Sequence, residues 1–222
     1  MAKIERIELC LVDLIPKVKR VDAIQSFVSQ ETPIVRIYDS DGAVGTGYSY
    51  TIGTGGFSII ELLRRTLLPA LIGRDAAEIE RIWNDLFFMT HATTVGAITS
   101  LALAAIDTAL WDLRCKKAGL PLHIFAGGAK DKVPLYTTEG GWLHLDKSAL
   151  VEDALKAREQ GFGGCKLKVG RRIAEDVERL SAVRSAVGDT FEIFTDANQA
   201  FRVDDAIRRA RHYEAIDIGW LE

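Results

Sequence analysis

The sequence predicts an α+β domain over residues 1–127, followed over residues 128–222 by an α/β domain carrying the first four strands of a parallel barrel. Three observations lead there. In the N-terminal part, β-prone runs come first and helical periodicities follow, the segregated order of an α+β domain. From Val133 onward, strand and helix patterns alternate, which requires right-handed crossovers and a parallel sheet. Polar residues also recur at the carboxyl ends of successive predicted strands, where barrel enzymes keep their chemistry: Lys166 and Lys168, then Asp196 and Asn198, then Glu222.

Taken in order, residues 4–13 alternate well enough for a strand. Residues 33–38 and 44–50 flank Ser40-Asp41-Gly42, and Asp-Gly between β-prone runs signals a hairpin because glycine supplies φ > 0. Residues 52–56 are glycine-rich but lack the Gly-Lys-Ser/Thr ending of a phosphate cradle, so they read as a flexible loop. Helical spacing then predicts helices over 57–71, over a stretch capped by Asp75 and running towards Met89, and over 94–117. The last is rich in alanine, which permits close packing, and Gly119 and Pro121 close it. In the second domain the strands fall at 133–137, 164–169, 191–195 and 216–221. The helices fall at 147–160 (capped by Asp146), 173–187 (ended by Gly188) and 203–213. Four strands cannot close an eight-stranded barrel, so the sequence reads as one that has lost its second half or never had it.

Composition narrows the function. Of the 222 residues 48% are hydrophobic and 27% charged, so a real core is expected. With a net charge of −3 and no basic face, nucleic acid is not an expected partner. Cys10, Cys115 and Cys165 are odd in number and far apart, which suits a reducing compartment. The N-terminus carries acidic charge early and does not read as a signal peptide. No stretch approaches the roughly 18 apolar residues of a membrane span. The expectation is a soluble cytoplasmic protein with no membrane partner.

On a strand, Lys166 and Lys168 point to one face, and Asp196 and Asn198 share a face in the same way. The three sets are spaced by about one strand-plus-helix unit. Each has a bland alternative: edge charges, a polar turn, a terminal carboxylate. Together they suit proton abstraction next to a carboxylate. That reaction puts a second negative charge on the carboxylate oxygens, which a hard cation such as Mg²⁺ on oxygen ligands stabilises. A lysine takes the proton, and a second lysine and the metal lower its pKa.

These residues, with Ala105-Ile106-Asp107-Thr108-Ala109-Leu110-Trp111-Asp112, Gly119-Leu120-Pro121-Leu122, Asp196-Ala197-Asn198-Gln199 and Trp220-Leu221-Glu222, resemble the mandelate racemase/muconate lactonizing branch of the enolase superfamily. Gly140-Gly141-Trp142-Leu143-His144 looks most like its acid-sugar dehydratases of the talarate/galactarate type. The resemblance implies a capping domain over a modified (β/α)7β, TIM-like barrel. It implies Asp196 and Glu222 as Mg²⁺ ligands, Lys168 as the base with Lys166 beside it, and Asn198 as a polar neighbour of the substrate. Its capping loops would be residues 17–30 and 52–57, where Lys17, Lys19 and Arg20 could meet a second substrate carboxylate, and His144 could touch substrate. The substrate would be a small carboxylate, and a full-length protein a homo-oligomer. The third metal carboxylate and the His-Asp pair of the family are absent, so the 222 residues alone are expected to hold metal poorly and to turn over little. Dehydration of an acid sugar is the favoured reaction. Racemisation or epimerisation, or a truncated non-catalytic product, are the alternatives. Cys165, one residue out of register with the lysines, is expected to point away from them.

Overall fold

The structure, a computed structural model, describes residues 2–222. It divides into two compact units: Met1–Pro16 with Val28–Asp131, and Lys17–Phe27 with Lys132–Glu222. The segment Lys17–Phe27, assigned by the sequence to the first domain, thus groups with the second unit.

The first unit opens with an antiparallel sheet of β1 (Ile4–Leu14), β2 (Gln30–Asp39) and β3 (Val44–Tyr48), in that order. The Asp-Gly turn joins β2 to β3 as expected, with Gly42 at φ 83°. Four helices follow: α1 (Gly56–Leu62), α2 (Ile79–Met89), α3 (Ala97–Ala118) and the short α4 (Leu122–Phe125), which the sequence did not signal. The alanine-rich face of α3 finds its partner in the glycines of β3. A Cβ on Gly45 would lie 2.0 Å from the Ala109 carbonyl oxygen, and one on Gly47 2.1 Å from that of Ala105. Small residues on both sides let helix and strand backbones touch. Val35, Ile37, Ile59, Leu63, Ile82, Ile106 and Leu110 are buried in the core around this contact.

Two local expectations are corrected. The helix expected over 57–71 is α1 followed by a π-turn segment, Leu63–Leu67, and a 3-10 turn, Pro69–Leu71. Proline lacks the N–H that would continue an α-helix. Asp75 does not cap α2: its carboxylate accepts from the Ala77 N–H at 3.0 Å, in a separate turn, and the helix starts after Glu78. The glycine-rich loop is tied to β2, because Glu31 Oε2 accepts from the Gly56 N–H at 2.9 Å and from the Thr51 hydroxyl at 2.7 Å.

Asp39, with a fully buried side chain, lies 2.6 Å from the Lys117 ammonium. Burial opposes its charge, but Lys117 and the N–H groups of Ala43 and Asp41 prevail and hold its carboxyl below the usual range. A depressed folded pKa contributes stability above the unfolded value of about 3.9, and that contribution is lost as pH falls through the folded value. Asp39→Asn should therefore melt below wild type at neutral pH. The gap should close on acidification, which thermal unfolding of both proteins across that range would check.

The second unit is built on a parallel sheet in the order β4 (Tyr136–Thr137), β5 (Gly164–Lys168) and β6 (Glu192–Asp196). Its helices are α5 (Lys147–Glu159), α6 (Ile173–Val187) and α7 (Val203–Glu214). Asp146 caps α5 as expected, accepting from the Ala149 N–H at 2.8 Å. The strand expected over 216–221 is not a regular one. The N–H groups of Ile216 and Asp217 continue the turns after α7, and Asp217 sits at φ 57°. Pairing with β6 begins only at Gly219, whose N–H reaches the Ile193 carbonyl at 2.9 Å, and runs on to Glu222. The strand expected over 133–137 is likewise reduced to Tyr136–Thr137.

Leu150, Ala154, Leu167, Leu180, Val183 and Ile193 pack the core of this unit, and Cys165 lies among them. Burial pushes the Cys165 thiol up to about 12. Cys10, by contrast, is exposed. Since the thiolate is the reactive form, an alkylating reagent should modify Cys10 in the native protein and Cys165 only after denaturation, as peptide mass mapping would read. Equal labelling of the two would contradict the placement of β5.

Candidate active site

Parallel pairing of β5 with β6 sets Lys166 opposite Phe194 and Lys168 opposite Asp196. Strand alternation sends Cys165 and Leu167 into the core and both lysines to the other face, as the period of two requires. The Lys168 ammonium donates to Asp196 Oδ2 at 2.5 Å and to Asn198 Oδ1 at 2.7 Å. The Lys166 ammonium lies 3.1 Å from the same Asp196 oxygen and 2.8 Å from Glu222 Oε2. The other Asp196 oxygen accepts from the Asn198 N–H at 2.8 Å. Asn198 and Gln199 take left-handed backbone angles (φ 47° and 62°), which folds the chain back so that Asn198 meets Lys168. Glu222 is brought in by pairing with β6, through Glu222 N–H to Thr195 and Ala197 N–H to Glu222.

Five of the seven residues singled out from the sequence therefore converge: Lys166, Lys168, Asp196, Asn198 and Glu222. Burial opposes charge on Asp196, but Lys168, the Asn198 N–H and Lys166 hold its carboxyl below the usual range. Burial likewise opposes the Lys166 ammonium, yet Glu222 and Asp196 raise its pKa above the ordinary value. Lys17 and His144 do not join the five. Lys17 is exposed and has no hydrogen bond or ion pair among the described residues. His144 is partly buried, with Nδ1 lacking a hydrogen-bond partner. Burial, with help from Lys19 and Arg179, lowers its pKa.

Among the described residues, no three His, Cys, Asp or Glu side chains are grouped to hold a metal ion. Asp196 and Glu222 nevertheless meet at one ammonium, so their oxygens lie close together. Two carboxylates, with the remaining positions left to water and substrate, are a usual protein share for Mg²⁺. By chemistry the donor set fits that ion, though with fewer ligands than a closed site.

Sequence reasoning placed Trp142 in a motif but gave it no role in the site. Its buried indole lies 5.4 Å from the Lys168 ammonium, measured to the ring centroid. A signal for it existed in Gly140-Gly141. A Cβ on Gly141 would fall 2.1 Å from the Lys166 carbonyl oxygen, and the Gly141 carbonyl accepts the Lys168 N–H at 2.7 Å. The residue after such a close approach to β5 is bound to lie near the lysines. On the same face, Phe194 stacks on Trp220 at 3.6 Å, with Tyr136 edge-on to both.

Comparison with known proteins identifies the family of the chain. Residues 149–222 match the family model described as "Enolase C-terminal domain-like", which sets the class. Residues 6–127 match "Mandelate racemase / muconate lactonizing enzyme, N-terminal domain", and the chain belongs to that family, within the enolase superfamily. A 3,6-anhydro-alpha-L-galactonate cycloisomerase of Streptomyces coelicolor is 41% identical over 85% of this chain and 52% of its own length. An L-talarate/galactarate dehydratase of Salmonella typhimurium is 38% identical over 85% of this chain and 48% of its own length. Its crystal structure with Mg and L-lyxarohydroxamate superposes with TM-score 0.91 at 34% identity, covering 99% of this chain and 58% of that one. A racemase from Streptomyces coelicolor with bound magnesium gives TM-score 0.93 at 37% identity, covering 98% and 61%. The chain spans about half the length of the curated relatives it matches. No helix is long and apolar enough to cross a membrane among the described residues.

Proposed function

We propose that Lys166, Lys168, Asp196, Asn198 and Glu222 form the base-bearing half of a site that removes the α-proton of a hydroxy- or sugar-acid carboxylate, and that the reaction served is dehydration of an acid sugar. The observation that carries this is the Lys168 ammonium, held by Asp196 and Asn198 beside a second lysine that bridges two carboxylates.

In this reading Lys168, once neutral, takes the α-proton at Nζ while the C–H electron pair moves towards the substrate carboxylate. Lys166 stays charged and stabilises the negative charge that develops there. Asn198 fixes the direction of the Lys168 Nζ. Asp196 and Glu222 would hold Mg²⁺, which supplies further positive charge against the substrate carboxylate. Loss of the β-hydroxyl then needs a proton donor, and among the described residues no histidine is hydrogen-bonded to these five. The 222-residue chain alone is therefore expected to dehydrate little. The dehydratase among the relatives supports the choice of reaction. The racemase neighbour keeps inversion at the α-carbon as the second reading.

The test is deuterium uptake from D₂O at the α-carbon of galactarate, glucarate and simple α-hydroxy acids, with Mg²⁺ or with a chelator. The expected result is Mg²⁺-dependent uptake on a sugar diacid. Inversion without loss of water would favour the second reading. Uptake unaffected by chelation, or none on any carboxylate in the natural-length polypeptide, would overturn the proposal.

A further inference from the structure

Trp142 lies on no strand or helix, yet four contacts fix it. Its Nε1–H donates to Glu139 Oε2 at 3.1 Å. The other Glu139 oxygen accepts from Arg20 Nη2 at 2.6 Å. The Arg20 guanidinium also lies 5.9 Å from the indole centroid, and Phe27 packs edge-on against the ring at 5.4 Å. On the backbone side, Arg179 donates to the Trp142 carbonyl at 3.4 Å. The segment carrying Arg20 and Phe27 is itself folded, since Asp22 Oδ1 accepts from the N–H groups of Ile24 and Gln25. The indole so fixed stands 5.4 Å from the Lys168 ammonium. That is within the distance at which a cation is attracted to an aromatic face, and the attraction is stronger when both are buried.

We infer that Trp142 is a positioning residue for Lys168: its π face forms the wall of the ammonium's cage that Asp196 and Asn198 leave open, and Glu139, braced by Arg20, holds that wall in place. Asp196 and Asn198 fix Nζ by hydrogen bonds on one side. The indole supplies an attractive surface that offers the ammonium no competing acceptor. Segment Lys17–Phe27 thereby acts on the lysine through Glu139 and the ring, although neither Lys17 nor Arg20 is bonded to it. The contact stands on its own, and its bearing on a reaction rests on Lys168 being the base.

The test compares Trp142→Phe, which keeps a π face, with Trp142→Leu, which keeps apolar bulk without one. The direct readout is the ammonium N–H signal of Lys168 in protein labelled with ¹⁵N-lysine, with the Lys166 signal as internal reference and circular dichroism as the check on folding. The expected result is a Lys168 signal retained in Trp142→Phe and lost to solvent exchange in Trp142→Leu. Glu139→Gln should weaken it, and Lys166 should be unchanged throughout. The α-deuterium uptake rate should fall about tenfold in Trp142→Leu at unchanged KM, and Trp142→Phe should restore most of it. A folded Trp142→Leu protein with the wild-type Lys168 signal would overturn the inference, whatever the uptake assay gives. A natural-length protein without uptake on any substrate would overturn the proposed function instead, and the ammonium signal would still decide the role of Trp142.

Discussion

Lys168→Met will lower α-deuterium uptake by about 10²–10⁴-fold, the usual range for removing a general base, while leaving the protein folded. Methionine keeps much of the buried stem, so packing changes little. The cost to stability falls on Asn198 Oδ1, which loses its donor at 2.7 Å, and on Asp196, which loses the ammonium at 2.5 Å but keeps Lys166 at 3.1 Å and the Asn198 N–H at 2.8 Å. Lys166→Met separates the roles of the two lysines. It removes the ammonium that bridges Asp196 and Glu222, so uptake should fall through weaker binding of the substrate carboxylate, seen as a raised KM, while the Mg²⁺ requirement should not rise, because a cation competing for the two carboxylates is gone. Uptake kinetics across substrate and Mg²⁺ concentrations distinguish the two. Equal kcat losses in both variants, with KM unchanged, would contradict the assignment of Lys168 as the sole base.

The sequence disclosed this site because strand geometry is simple. A period of two puts Lys166 and Lys168 on one face, and a parallel crossover returns the next strand in register, so Asp196 arrives opposite Lys168. The long helices were equally legible: the observed α6 spans the expected 173–187, because its apolar spacing and Gly188 mark both the stripe and the stop. What was not legible depended on partners distant in sequence. Asp75 has the composition of a helix cap, but its turn closes before α2 begins. Residues 216–221 are apolar enough for a strand, but the turns after α7 take up their first N–H groups. From the sequence, Arg20 stands with Lys17 and Lys19 as a contact for a second substrate carboxylate. Only the fold reveals that Glu139 turns it towards Trp142. Lys17, two positions earlier than Lys19 in the same cluster, has no such acceptor.

Asp176→Ala will destabilise the second unit by about 3–5 kcal/mol, the cost of removing one partner from a buried charge pair. The Asp176 carboxylate is fully buried. It accepts from Gly170 N–H at 3.0 Å, Arg171 N–H at 3.3 Å, Arg209 Nη1 at 3.0 Å and the Tyr213 hydroxyl at 3.2 Å. One side chain on α6 thus ties α7 to the loop that leaves β5. Alanine leaves four donors without that acceptor, and Arg209 retains its pair with Asp205 at 2.8 Å and its bond to the Arg171 carbonyl at 2.8 Å. Asp176→Asn fills the same space but turns an amide N–H₂ towards donors, so it should recover less than half of the loss. Urea unfolding monitored by tryptophan emission measures both variants, with a lower midpoint at unchanged slope as the expected signature. The effect should reach the site as well. Gly170 lies two residues beyond Lys168, and the Arg171 guanidinium donates to the Leu143 carbonyl at 2.6 Å, one residue past Trp142. Releasing that loop loosens the strand end that carries Lys168 and the segment that carries Trp142 at once. Uptake by Asp176→Asn, measured where the protein is still folded, should therefore fall further than in Trp142→Leu, because the lysine and the ring lose their common support together.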